Sequence, residues 1–218
     1  MKRILILSIL MLFVMSGFSY GYIEANWSCL FFSHCENNRS TNRATPSLGQ
    51  MVSEAGALFL KAGRDYQDFL HYVEQSEYSA VDGSNLINSL DNAIKNMEEA
   101  NARYYDIWKI STTLEANPLA LELLASFDYQ TFREKNQLIP GIFKKVKSFL
   151  KKGNVEGVYE YLTIETGVLL QKLTLLKARL DGNNLDLPLC WEINQLQLKN
   201  LLLGQYISQV FAEIKKSL

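Results

Sequence analysis

Cys29, His34 and Cys35 fall within the stretch Cys29-Leu30-Phe31-Phe32-Ser33-His34-Cys35. Thiolates and an imidazole are zinc ligands, but a closed structural zinc site takes four, and no fourth ligand stands at zinc spacing here. Disulfide chemistry fits better. The spacing predicts a Cys29–Cys35 bridge closing a small loop, which places its contribution toward the lower part of about 2–4 kcal/mol. Cys190 precedes Trp191 in an apolar context and is expected to be a buried, inert thiol. Three cysteines also allow a bridge from Cys190 to Cys29 or Cys35.

The remaining chemistry-bearing types form no catalytic pattern. Di-metal helical proteins draw a Glu-x-x-His pair from each of two helices. The segment around the second histidine, His71-Tyr72-Val73-Glu74, is reversed and single. There is no Cys-x-x-Cys-His for covalent haem. Gly-x-Ser-x-Gly, the phosphate loop, the dinucleotide fingerprint and the zinc-protease motif are also missing from the sequence. The acid pair Glu98-Glu99 falls on a polar helix face. No catalytic, cofactor-binding or metal-ligating residue is therefore assigned.

Binding chemistry has four candidates. Tyr104, Trp108, Tyr159 and Asn200 could line a small-molecule pocket, mostly apolar with a few polar groups; the same residues serve equally as core. Leu198, Leu201 and Leu202 widen the apolar seam of the last helix, which suggests a face for a partner protein. Lys144, Lys145, Lys147, Lys151 and Lys152 interleave with Ile142, Phe143, Val146, Phe149 and Leu150. Such a basic amphipathic helix could lie on an anionic membrane or grip an acidic partner, although it reads first as a bridging helix with solvated lysines. Gly49, Gly56 and Gly63 recur at seven-residue spacing, as in close helix packing or a groove.

The compartment follows from the N-terminus. Lys2 and Arg3 precede the apolar run Ile4–Val14, and small residues follow. This pattern predicts a signal peptide over 1–21, cut after Gly21. The run falls short of the ~20 residues a spanning helix needs. The leader carries two of the 22 basic residues and no acid, so 20 basic residues face 23 acidic ones, a net charge of −3. That balance gives no field to draw nucleic acid.

Residues 22–47 read as an irregular, cysteine-bearing arm and tether, with 36–47 polar and breaker-rich. From Leu48 the apolar period is helical. Long helices are expected at about 48–77, 84–116, 155–181 and 188–217, with short helices across 118–153. The predicted fold is all-α: four long helices in two hairpins forming a bundle over 48–218, with short crossover helices and the irregular N-terminal arm. The expected function is that of an exported, non-enzymatic bundle acting through protein–protein contact or self-association, with a cell-envelope assembly as one setting. The alternatives are a small-molecule-binding or sensor bundle, and a membrane-active protein using 141–152.

Exported protein should begin near Tyr22 on N-terminal sequencing. Alkylation without reductant followed by mass mapping should recover Cys29 and Cys35 as a linked pair. A bridge containing Cys190 would instead fold the arm back onto the last helix.

Overall fold

The computed structural model describes residues 48–76, 83–114, 117–131, 143–182 and 184–216. The expected leader, the arm and the Cys29–Cys35 pair lie outside these residues. Every regular element among the described residues is helical: α1 (Leu48–Ser76), α2 (Gly83–Ser111), α3 (Pro118–Ser126), α4 (Lys144–Lys151), α5 (Val155–Asp181) and α6 (Leu187–Lys216).

Local chemistry sets the helix ends. Asn117 caps α3 by accepting from the N–H groups of Leu119 and Ala120, with Pro118 in the first turn, where its missing N–H costs nothing. Asn154 caps α5 through Gly157 N–H at 2.7 Å, and Asp186 caps α6 through Leu189 N–H at 3.0 Å. Gly153 turns the chain between α4 and α5 at φ +65°, a conformation that favours glycine. The second helix ends at Ser111, earlier than its apolar stripe suggests. There Ser111, Thr112 and Thr113 turn their hydroxyls back to the carbonyls of Trp108, Lys109 and Ile110, at 2.7, 2.7 and 2.8 Å. These bonds compete for carbonyls that further helical turns need. Of the short helices expected across 118–153, the one after Asp128 is described only at its start, where Asp128 accepts from the N–H groups of Gln130 and Thr131.

The helices pack side by side: α1 on α2, α2 on α5, and α5 on α6, with α4 against α5. Polar pairs fix the directions. Glu54–Arg103 and Asp65–Asn96 set α1 antiparallel to α2. Asp91–Lys177 and Asn101–Thr163 set α2 antiparallel to α5. Lys172–Glu192 and Glu165–Lys199 do the same for α5 and α6. Side chains of α1 close the circuit: Tyr66 donates to the Cys190 carbonyl at 2.7 Å, and Gln67 Nε2 donates to Asn194 Oδ1 at 3.1 Å.

The interior divides into two apolar clusters. One joins Met51, Ala55, Tyr104, Ile107, Val158, Tyr159, Leu162 and Leu203 to Val146 and Leu150 of α4. The other joins Phe59, Tyr66, Phe69, Met97, Leu169, Leu173, Leu176 and Ile193. On every long helix the change of cluster falls within one or two turns, so the division is a transverse layer.

Leu173 is wholly buried. Leu173→Ala should cost about 2–5 kcal/mol. Leu173→Asp, or a lysine at Leu169, should unfold the domain, because an unpaired buried charge costs several kcal/mol against a total stability of about 5–15. Chemical denaturation followed by circular dichroism measures both; melts unchanged by these substitutions would refute the packing.

Candidate functional site

The residues singled out from sequence take separate places. Tyr104 and Tyr159 are buried in the first cluster, with Trp108 packed at its edge. Asn200 is not among them; it sits at the layer between the clusters, 4 % exposed. Tyr104 and Tyr159 are thus core residues of the first cluster.

The leucines of α6 require a correction. Leu201 is 1 % exposed and belongs to the second cluster. Leu198 packs against that cluster and Leu202 against the first. The wide apolar seam of α6 is used internally, because the helix packs on α1, α3 and α5 at different points along its length. Leu201 offers no free face, whereas Leu198 and Leu202 remain partly exposed.

The basic helix α4 is likewise engaged. Val146 and Leu150 are fully buried, and Phe143, just before the helix, stacks on Tyr206 with ring centroids 4.7 Å apart. Lys145 lies over the Tyr161 ring at 4.8 Å. Lys144, Lys151 and Lys152 are exposed. The apolar edge that a membrane would need already lies on the protein. No described helix is long and apolar enough to cross a membrane.

His71 is exposed and bonded to Gln75 at 2.8 Å. No group of His, Cys, Asp and Glu among the described residues is arranged to hold a metal ion. An open groove of about 510 Å³ runs between α1 and α2, with Ala57, Leu58 and Ala102 in its lining. Its rim mixes Glu54, Glu99 and Asp106 with Lys61 and Arg103, and Arg103 reaches Glu54 at 3.6 Å. Opposite charges that offset one another select no ion.

Two features escaped the sequence reading. The first is an exposed apolar stripe on α5. Ile164 is 51 % exposed, Leu175 is 44 % exposed, and Val168 is exposed as well. With half-buried Tyr161 and exposed Gln171 and Ala178 they follow alternating steps of three and four, on the side opposite Leu162, Leu169, Leu173 and Leu176. Such spacing makes one straight seam along a helix. Its signal is present in the sequence, but α5 is apolar on two faces, and the spacing of Leu162, Leu169, Leu173 and Leu176 masks the second.

The second is the layer between the clusters. Thr166, Gln197 and Asn200 are buried there; Gln67 and Asn194 are buried further along, within the second cluster. Asn101 Nδ2 donates to Thr166 Oγ1 at 2.8 Å and to the Thr163 carbonyl at 2.7 Å. Both amide atoms of Gln197 and both of Asn200 are buried without a hydrogen-bond partner, as are Gln67 Oε1 and Asn194 Nδ2. Leaving a buried polar group unpaired costs about 1–3 kcal/mol, so this cluster departs from ordinary core.

Burial pushes the Cys190 thiol up to about 11, against an ordinary value of 9.0, and pushes the Tyr66 hydroxyl well above its usual range. The thiol is neutral at physiological pH and among the described residues it is unbridged. Folded protein should therefore resist alkylation at Cys190 and react once unfolded. The contribution of the neutral thiol to stability is complete below pH 9 and is lost as pH rises through about 11. Denaturation midpoints measured from pH 8 to 11 should fall, and fall less in Cys190→Ala relative to its own value at pH 8.

In comparisons with known proteins, no family model, no curated protein and no solved structure matches this chain.

Proposed function

We propose that this chain is an exported, non-catalytic four-helix bundle that works through protein–protein contact, and that the contact surface is the outer stripe of α5. The observation that carries the reading is the exposure of Ile164, Val168 and Leu175 at seam spacing on one helix. Single exposed apolar residues need no explanation, but an aligned row marks an interaction surface. The apolar seam of α6, the first candidate from sequence, is weaker support, because Leu201 at its centre is buried.

The occupant that fits best is the same helix of a second copy. The row is nearly symmetric about Gln171: placed antiparallel, Val168 meets Leu175 of the other copy, Ile164 meets Ala178, and Gln171 meets itself. A two-fold contact needs such self-complementarity, residue i touching j and j touching i. A polar residue at the centre of a seam specifies register, here by pairing one carboxamide with its symmetry mate. On both sides of the row charged residues are already paired within the chain: Glu165 with Lys199, Lys172 with Glu192, and Lys177 with Asp91.

Sedimentation of the mature chain should show a concentration-dependent dimer. Val168→Glu with Leu175→Glu should leave the helical signal intact, since exposed substitutions shift stability by about 0.5 kcal/mol or less. It should weaken association by tenfold or more, because like charges would then face each other across the seam. A wild-type chain that stays monomeric at high concentration defeats the self-association; a dimer indifferent to the double change removes α5 from it.

A further inference from the structure

The groove between α1 and α2 has one end beside the point where the chain enters the bundle. Ala57 and Leu58 of α1 and Ala102 of α2 give it an apolar floor within its volume of about 510 Å³. The Glu54–Arg103 pair sets the level of the two antiparallel helices. Counting from that pair places Ile110 of α2 beside the first turn of α1. Ile110 follows Arg103 by seven residues and Asp106 by four, so it continues the groove-facing side of α2. It is 38 % exposed. Leu48, the first residue of α1, is buried in the first cluster. The segment that precedes Leu48 therefore joins the bundle at this end of the groove.

The sequence of that segment complements the groove. Trp27, Leu30, Phe31 and Phe32 lie close together in it. Each aromatic side chain can bury about 150–250 Å², and apolar groups in such number seldom stay uncovered. Between them and Leu48 runs the stretch 36–47, where Arg39 and Arg43 stand against a single acid, Glu36. The groove rim has the opposite balance, with Glu54, Glu99 and Asp106 against Lys61 and Arg103. The stretch 36–47 can span up to about 40 Å. From Leu48 to Lys61 α1 rises only about 20 Å, so the whole groove is within reach. A mixed-charge rim over an apolar floor selects no ion, but it suits an amphipathic chain.

We propose that the N-terminal arm docks back into the α1–α2 groove as a strap. The rings of 27–32 cover Ala57, Leu58, Ala102 and Ile110, and the Arg39–Arg43 stretch lies along the acids of the rim. The contact needs little intrinsic strength, because a short tether holds the arm near the groove at millimolar effective concentration. Charge complementarity serves mainly to orient it.

The test uses the full mature chain labelled with ¹³C-methyl alanine. Nuclear Overhauser contacts should join the Ala57 and Ala102 methyls to ring protons of Trp27, Phe31 or Phe32. Trypsin should cut after Arg39 and Arg43 at least tenfold faster in Ala57→Glu with Ala102→Glu than in the wild-type chain. Both alanines are exposed, so the variant should keep its helical signal. Methyls without ring contacts overturn the proposal, as do equal cleavage rates in the folded variant. Ring contacts found only between differently labelled copies overturn it in favour of an arm exchanged between chains. Ring contacts to Ile164 and Val168 would place the arm on α5 and overturn both the strap and the α5 dimer; their absence leaves the dimer to its own test. If the double variant does not fold, the methyl contacts of the wild-type chain decide alone.

Discussion

The antiparallel packing of α5 along α6 determines where the other surfaces point. Glu165, Lys172 and Arg179 recur every seven residues along α5 and pair with Lys199, Glu192 and Asp186. Partly exposed ion pairs contribute little energy, about 0–1 kcal/mol each. Their effect here is geometric: they hold the two helices in one register. The energy comes from the neighbouring face, where Leu169, Leu173 and Leu176 are fully buried. With those two faces committed, the third face of α5, from Tyr161 to Ala178, is left outward. The same register sets the layer of Thr166 beside Asn101 at the height where α6 presents Gln197 and Asn200.

A buried polar layer between two apolar clusters has a double consequence. It lowers stability, because each unpaired amide atom has given up its hydrogen bonds to water. It also resists sliding. Moving α6 by one turn would press carboxamides into a wholly apolar cluster, a penalty that an apolar seam does not impose. The bonds Tyr66–Cys190 and Gln67–Asn194 work in the same direction, since they tie α1 to one position along α6. The interior is thus specific in register and incomplete in hydrogen bonding. The two properties arise from the same residues.

The contrast between α4 and α5 shows why amphipathic patterning alone misplaces a surface. In α4, lysines interleave with apolar residues as they would at a membrane. Yet Val146 and Leu150 are buried, and lysines lie over Tyr129 and Tyr161. In α5 no strong pattern stands out, because apolar residues occupy opposite sides of the helix. The strongly patterned helix turns out to be covered, while the weakly patterned one carries the exposed row.

The helical class and the placement of the long helices were legible from three-and-four apolar spacing, because burying one face of a helix imposes that period whatever the partner is. Capping was legible too: Asn117-Pro118 and Gly153-Asn154 act locally, within a turn. The early end of α2 was not, since three hydroxyls drew its last carbonyls away while the apolar stripe continued. The site was legible only in part. Asn200 stood out as polar in a seam, but its unpaired state depends on what the other helices bring opposite it. Leu201 looked spare because one helix displays its whole circumference to the reader. Only packing assigns each side a neighbour. The α5 row is the converse: spacing places Ile164, Val168 and Leu175 on one line, and the absence of a covering helix among the described residues decides that the line faces outward. Sequence fixes periodicity because backbone geometry is local; exposure belongs to the tertiary structure because it is a relation between helices distant in the chain.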